Sequence, residues 1–119
     1  MAASVDVEPL DATFGAVVTG VALRSLTGAQ WQQIEQAFHR FALLLFPAQH
    51  LTSDEQRAFA LRFGEPEAEL MGDRPTVPIS NIELGGGTRD LDDPVMHILR
   101  GNEGWHTDSS YMPLAAKAS

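Results

Sequence analysis

The stretch Gly101-Asn102-Glu103-Gly104-Trp105-His106-Thr107-Asp108-Ser109-Ser110-Tyr111 carries the most specific signal in this chain. His106 and Asp108 lie two positions apart, and side chains at i and i+2 of an extended segment point to the same side. An imidazole and a carboxylate in that arrangement can converge on one metal ion. This donor pair suits iron(II) and leaves coordination positions open. The spacing alone leaves a second interpretation open, namely a surface histidine beside an aspartate.

The composition excludes several classes of function. The chain has 119 residues, no cysteine, and a net charge of −8 from 8 basic and 16 acidic residues. That negative field disfavours nucleic acid and anionic membranes as partners, although a locally positive pocket still admits an anionic small molecule. Without cysteine, a metal site has to use His, Asp or Glu. Neither a secretory signal nor an apolar run of about 20 residues is found, so we expect a cytoplasmic protein.

Two capping boxes predict helices upstream of this stretch. Thr27 pairs with Gln30, and Thr52 with Glu55, and apolar residues at helical spacing follow each pair. We expect the second helix to run through Phe63.

Apolar runs predict the strands. The run from Ala42 to Phe46 is continuous, which suits a strand buried on both faces. Gly15 and Gly20 interrupt a run rich in Val and Thr and indicate a bend or a close approach of the backbone. Two helices followed by strands of an unfinished sheet indicate an α+β fold. The predicted strands are Val5–Pro9, Phe14–Leu23, Ala42–Phe46, Val77–Leu84 and Val95–Leu99.

The stretch from residue 101 to residue 111 closely resembles the W-H-[TS]-D-x-[ST]-[FY] signature of the taurine/2,4-dichlorophenoxyacetate dioxygenase family, whose members depend on iron(II) and 2-oxoglutarate. Further blocks in the same order resemble other segments of that family. They are residues 15–23 (GAVVTGVAL), 42–49 (ALLLFPAQ), 56–64 (QRAFALRFG) and 79–82 (ISNI). The resemblance covers nearly the whole chain.

The resemblance implies a fold, a reaction and roles for particular residues. Residues 1–119 would form the N-terminal portion of a single catalytic domain, an α+β entry to a double-stranded β-helix (jelly roll) that is incomplete in this chain. His106 and Asp108 would be the first two iron ligands, and Asn102 would lie where a substrate contact is expected, although a turn is the commoner use of such an asparagine. The reaction would use O2 and 2-oxoglutarate to hydroxylate a small anionic substrate, either a taurine-like sulfonate or an aryloxyalkanoate. We expect Trp105 to pack against the metal segment and exclude water.

The sequence departs from the family pattern in one respect. Members supply a distal His as third ligand and an Arg that anchors 2-oxoglutarate, and no His or Arg follows Asp108 here. We therefore expect the C-terminal remainder of the domain as a partner and no activity from these 119 residues alone. Of the other histidines, His97 is an incidental ligand candidate, His39 on the first helix is expected to be solvated or packed, and His50 is expected in the loop after the apolar strand. A non-catalytic truncated interaction module and another kind of His/Asp metal protein remain alternatives, and a homo-oligomer stays open.

Overall fold

The computed structural model describes residues 4–66, 78–83 and 85–119 of the chain. The chain divides into two compact units, one through Arg62 and one from Phe63 onward. In the described ranges, no helix has the length and apolar character needed to cross a membrane.

A three-stranded sheet forms one side of the first unit. Strand β1 (Asp6–Pro9) pairs antiparallel with β2 (Ala16–Thr19), and β2 pairs parallel with the short β3 (Leu44–Leu45). Parallel neighbours need a crossover connection, and helix α1 (Gly28–Phe41) lies in that connection. The predicted strands at Val5–Pro9 and within Phe14–Leu23 are confirmed.

Both predicted capping boxes are confirmed. Thr27 accepts a hydrogen bond from the backbone N–H of Gln30 at 3.2 Å, and the Gln30 side chain accepts from the backbone of Thr27 at 3.0 Å. Thr52 and Glu55 make the same reciprocal pair at the start of α2 (Ser53–Ala60). Helix α2 ends at Ala60, earlier than the sequence pattern predicts, and a turn follows it.

The core of the first unit lies between the sheet and the two helices. Ile34 of α1 is fully buried and packs with Val18 of β2. Phe59 of α2 makes edge-to-face contacts with Trp31 and Phe46, at ring-centroid distances of 6.1 and 5.7 Å. These contacts tie α2 to both α1 and the segment after β3. The other buried members of the core cluster are Leu23 and Leu26.

The prediction of a strand buried on both faces at Ala42–Phe46 is wrong. Ala42 adopts a left-handed conformation (φ 63°) as the C-cap of α1, so the strand is reduced to Leu44–Leu45. Strand β3 is an edge of the sheet and packs on one face only, since Leu43 and Leu45 are 40 and 46 % exposed. A continuous apolar run does not distinguish such an edge from an interior strand.

In the second unit, the predicted strand at Val95–Leu99 is also wrong, because these residues belong to helix α3 (Pro94–Gly101). Asp93 caps the helix by accepting a hydrogen bond from the backbone N–H of Val95 at 2.7 Å. Pro94 occupies the first helical turn, where its missing N–H is not needed. Together they start a helix that the apolar run alone does not reveal.

The predicted strand at Val77–Leu84 is not formed as such. Both of its end residues lie outside the described part of the chain. Among residues 78–83, only Ile82 pairs with another segment, in an isolated antiparallel bridge to Thr88. Pro78 cannot donate to a ladder, which limits strand pairing here. Most of the irregular segment expected from Glu65 to Arg74 likewise lies outside the described residues.

Candidate metal centre

The segment that carries His106 and Asp108 follows directly after helix α3. Asn102 caps the helix, its backbone N–H donating to the carbonyls of Ile98 and Leu99 at 3.2 Å each. Residues 106 and 107 are irregular, and a turn begins at Asp108, so the expected extended strand is not present. The loop places the two side chains on one side without a regular strand.

The imidazole of His106 and the carboxylate of Asp108 face each other. His106 Nε2 lies 3.1 Å from Asp108 Oδ1, and the two side chains are 47 and 51 % exposed. The other ring nitrogen of His106, Nδ1, lies 2.9 Å from the carbonyl oxygen of Gly104. Because a carbonyl only accepts, Nδ1 carries the proton in this contact. Nε2 is therefore the nitrogen whose lone pair is available in the neutral ring.

The pKa of His106 is raised above its usual value of 6.5. The largest cause is the hydrogen bond to the Gly104 carbonyl, and the negative charge of Asp108 acts in the same direction, against partial desolvation of the ring. The protonated ring can donate from Nε2 to Asp108. A metal ion binding between the two groups would take the place of that proton.

The chemistry of the two donors fits a shared metal ion. The 3.1 Å between Nε2 and Oδ1, which is also an ordinary ion-pair distance, brings both atoms within reach of one ion. An imidazole nitrogen with a carboxylate oxygen suits iron(II) or manganese(II). A ligating histidine commonly donates its second ring N–H to a backbone carbonyl, as His106 does to Gly104. In the described ranges no third His, Asp or Glu joins the pair.

The other residues considered for this site are placed differently. Asn102 is exposed at the end of α3, and its predicted contact with substrate stays a prediction. Trp105 is fully exposed, and so are its neighbours from Gly101 to Asp108. Within the described residues, the expectation that Trp105 packs against the metal segment is therefore wrong. His97 lies exposed on α3 and does not join the pair.

The burial and backbone conformation of one residue in this segment, Ser109, are not predicted from the sequence. Ser109 is 7 % exposed and adopts φ 54°, a left-handed conformation that residues with a side chain seldom adopt. A serine in a polar stretch gives no signal of burial or of backbone conformation, so the sequence does not predict either feature.

The family model for the taurine catabolism dioxygenase TauD, TfdA family matches residues 6–119. The chain belongs to the TauD/TfdA family. This confirms the resemblance seen in the sequence.

TauD/TfdA relatives with established names are similar along the whole of this chain. It is 50 % identical over 122 residues to an (S)-phenoxypropionate/alpha-ketoglutarate-dioxygenase of Sphingobium herbicidovorans, which takes in 100 % of this chain and 40 % of the relative. The chain is also 34 % identical to an alpha-ketoglutarate-dependent 2,4-dichlorophenoxyacetate dioxygenase of Cupriavidus pinatubonensis. That match covers 98 % of this chain and 44 % of the dioxygenase. The chain thus spans about two fifths of the length of these relatives.

Two solved structures resemble the fold as well. The crystal structure of AAD-2 in complex with Mn(II) and N-oxalylglycine superposes with a TM-score of 0.83 at 32 % identity, over 94 % of this chain and 39 % of that one. A taurine dioxygenase from Burkholderia xenovorans gives a TM-score of 0.54 at 36 % identity, over 60 % of this chain and 27 % of that one. The small mixed sheet with helices is therefore consistent with the family fold.

Proposed function

We propose that the full-length protein is an iron(II)- and 2-oxoglutarate-dependent dioxygenase that hydroxylates an aryloxyalkanoate, such as a phenoxypropionate. The observation that carries the proposal is the His106–Asp108 pair, with Nε2 and Oδ1 3.1 Å apart, in a chain whose family model matches residues 6–119. The two side chains would supply one imidazole and one carboxylate to the metal, and the rest of the full-length chain would supply the third ligand and the remaining jelly-roll strands.

Each residue of the pair has a separate task in this proposal. His106 binds the metal through Nε2, and the Gly104 carbonyl holds the ring in the tautomer that leaves this nitrogen free. Asp108 binds through its carboxylate and offsets part of the metal's charge. When bound, iron(II) would supply the O2 chemistry that couples oxidative decarboxylation of 2-oxoglutarate to hydroxylation of the substrate: one oxygen atom enters succinate, the other enters the hydroxylated substrate, and CO2 is released. Hydroxylation at the carbon next to the ether oxygen of an aryloxyalkanoate gives a product whose bond from that carbon to the ether oxygen then breaks, which releases a phenol and an aldehyde or ketone acid.

The aryloxyalkanoate class is favoured over a sulfonate by the relatives. The phenoxypropionate enzyme is 50 % identical over the full length of this chain, which is 40 % of the enzyme. The 2,4-dichlorophenoxyacetate enzyme is 34 % identical. The taurine dioxygenase of known structure matches only 60 % of the chain. The structure of AAD-2 is a complex with Mn(II) and N-oxalylglycine, a 2-oxoglutarate analogue, which supports a divalent metal and 2-oxoglutarate as the cofactors here.

The test is a substrate comparison with the full-length protein. Purified protein loaded anaerobically with iron(II) is mixed with O2, 2-oxoglutarate and either (S)-phenoxypropionate, 2,4-dichlorophenoxyacetate or taurine, and succinate and the phenol product are measured. We expect succinate to form in step with phenol for the aryloxyalkanoates and little turnover of taurine. Turnover of taurine alone would contradict the substrate class, and no oxoglutarate-dependent succinate with any substrate would contradict the reaction.

A further inference from the structure

Helix α3 presents two apolar side chains that are largely open to solvent. Val95 is 40 % exposed and Ile98 is 66 % exposed. Met96 and Leu99 are half-buried, so the helix packs into the second unit on their side. Successive helical residues are about 100° apart, which places Ile98 about 200° around the axis from Met96. The Val95–Ile98 face, formed by these two side chains, is therefore apolar and points away from the described part of the second unit.

This face leads to the metal centre through a series of close contacts. The backbone N–H of Asn102 donates to the carbonyl of Ile98 at 3.2 Å, so Asn102 lies one turn beyond Ile98 on the same side. The chain then folds back on the helix end, because a Cβ added at Gly104 would lie 3.9 Å from the carbonyl oxygen of Gly101. The Gly104 carbonyl in turn contacts His106 Nδ1 at 2.9 Å. The metal-binding histidine is thus tied to the end of α3 at which the face ends.

The order of groups along this path matches the proposed substrate. Two apolar side chains come first, then the polar Asn102, and then the pair of His106 and Asp108. An aryloxyalkanoate has an aromatic ring, an ether oxygen and then the carbon that is hydroxylated. With that carbon at the metal, the ring extends away from it. Small-molecule sites are lined mainly by apolar side chains, with a few polar groups that fix the orientation of the ligand.

We propose that the Val95–Ile98 face receives the aryl ring of the substrate, and that Ile98 determines which rings fit. This inference rests on the proposed function. Ile98 is the member of the face that lies next to Asn102, whereas Val95 lies about one turn farther from the metal centre. A change in the size of the side chain at position 98 therefore changes the space for the ring and leaves the metal ligands in place.

The test uses the full-length protein with iron(II), O2 and saturating 2-oxoglutarate. The substrates are (S)-phenoxypropionate and its 2,4-dichloro derivative, which differ only in the ring, and kcat/KM is measured for each from the phenol released. Ile98→Ala enlarges the space at the face, and Ile98→Phe reduces it. Met96→Ala is the matched control, because it shortens an apolar side chain on the opposite side of the same helix. Circular dichroism, the urea midpoint and size-exclusion chromatography report the fold, stability and oligomeric state of each variant.

The measured quantity is the ratio of kcat/KM for the dichlorinated ring to kcat/KM for the unsubstituted ring. We expect this ratio to rise in Ile98→Ala and to fall in Ile98→Phe. The two variants should differ in the ratio by about tenfold or more, the discrimination that about one methylene group gives in an apolar pocket. The KM for 2-oxoglutarate should not change. Met96→Ala should lower the urea midpoint and leave the ratio as in the wild type. If Ile98→Phe does not fold, the rise in Ile98→Ala decides alone.

An unchanged ratio in the folded Ile98 variants overturns the inference. If the urea midpoint falls at the same time, the rest of the full-length chain covers the face, and if the oligomeric state changes, a second copy covers it. An equal shift of the ratio in Met96→Ala also overturns the inference, since the effect would then come from loosened packing of α3. If the wild type turns over neither substrate, the proposed function fails, and this result is distinct from an unchanged ratio between two substrates that are turned over.

Discussion

Gly20 offers a sharp test of how the first unit is built. It has φ 74°, and a Cβ added there would lie 2.8 Å from the backbone oxygen of Ser4 and 3.3 Å from Asp6 Oδ2. Positive φ alone costs a residue with a side chain about 1–2 kcal/mol. The Ser4 oxygen belongs to the backbone, so relief requires the chain entering β1 to move, and such overpacking adds about 1–3 kcal/mol. Gly20→Ala should therefore destabilise the full-length protein by at least about 2 kcal/mol.

The matched control is Gly28→Ala. Gly28 is the first residue of α1, its φ is not positive, and a Cβ there meets nothing within 4 Å. Alanine is up to about 1 kcal/mol better than glycine in a helix, so this variant should be unchanged or stabilised. The measurement is the urea midpoint at constant m-value. Equal midpoints for Gly20→Ala and wild type would refute the close approach of the chain at Gly20.

Substitutions at three further positions test other parts of the fold in the full-length protein. Ile34→Val should cost about 0.5–1.5 kcal/mol and Ile34→Ala about 2–5 kcal/mol in urea unfolding, since Ile34 is fully buried; equal costs would contradict its place in the core. Thr52→Ala should cost about 0.5–2 kcal/mol through loss of the cap of α2, and an unchanged midpoint would contradict the capping box. The pKa of Asp93 is lowered from 3.8 by the backbone N–H of Val95 and then by Arg89. A carboxyl whose pKa is lowered by folding stabilises the fold at pH values above 3.8, and this contribution is lost as the pH falls through the lowered pKa. Below pH 4, the free energy of unfolding should therefore fall less for Asp93→Asn than for the wild type. Parallel curves of unfolding free energy against pH for the two proteins would contradict the cap.

Short-range signals predicted much of the first unit. The two capping boxes rest on side chains three residues apart, so the sequence alone contains both partners, and the structure forms both. Gly15 and Gly20 were expected at bends, and both have positive φ. Capping boxes and glycine bends are determined by residues close together in the sequence, so the sequence alone is enough to predict them.

The features that the sequence did not predict have different causes. The apolar run Val95–Leu99 suits a strand or a helix, and the Asp93-Pro94 start that decides for the helix is a weak local signal of two residues. One-sided burial of β3 depends on its place at the sheet edge. Ser109 is buried and left-handed, and neither feature has a signal in the residues around it.

The candidate site was predicted in part. The spacing of His106 and Asp108 indicated that their side chains meet, and they lie 3.1 Å apart. The expected reason, alternation along a strand, is wrong, because the segment is irregular and enters a turn. The contact with Gly104 that fixes the His106 ring could not be foreseen from composition or spacing.

The central claim is that His106 and Asp108 bind iron(II). The direct measurement is anaerobic iron(II) binding by the full-length wild type, His106→Ala, Asp108→Ala and, as a matched control, Thr107→Ala, which alters the exposed residue between the two. Iron content is measured after desalting, and the fold is verified by circular dichroism. The account predicts one iron per chain in wild type and Thr107→Ala, and loss of iron in both ligand variants with the fold intact. Stoichiometric iron retained by a double His106→Ala, Asp108→Ala variant would contradict it.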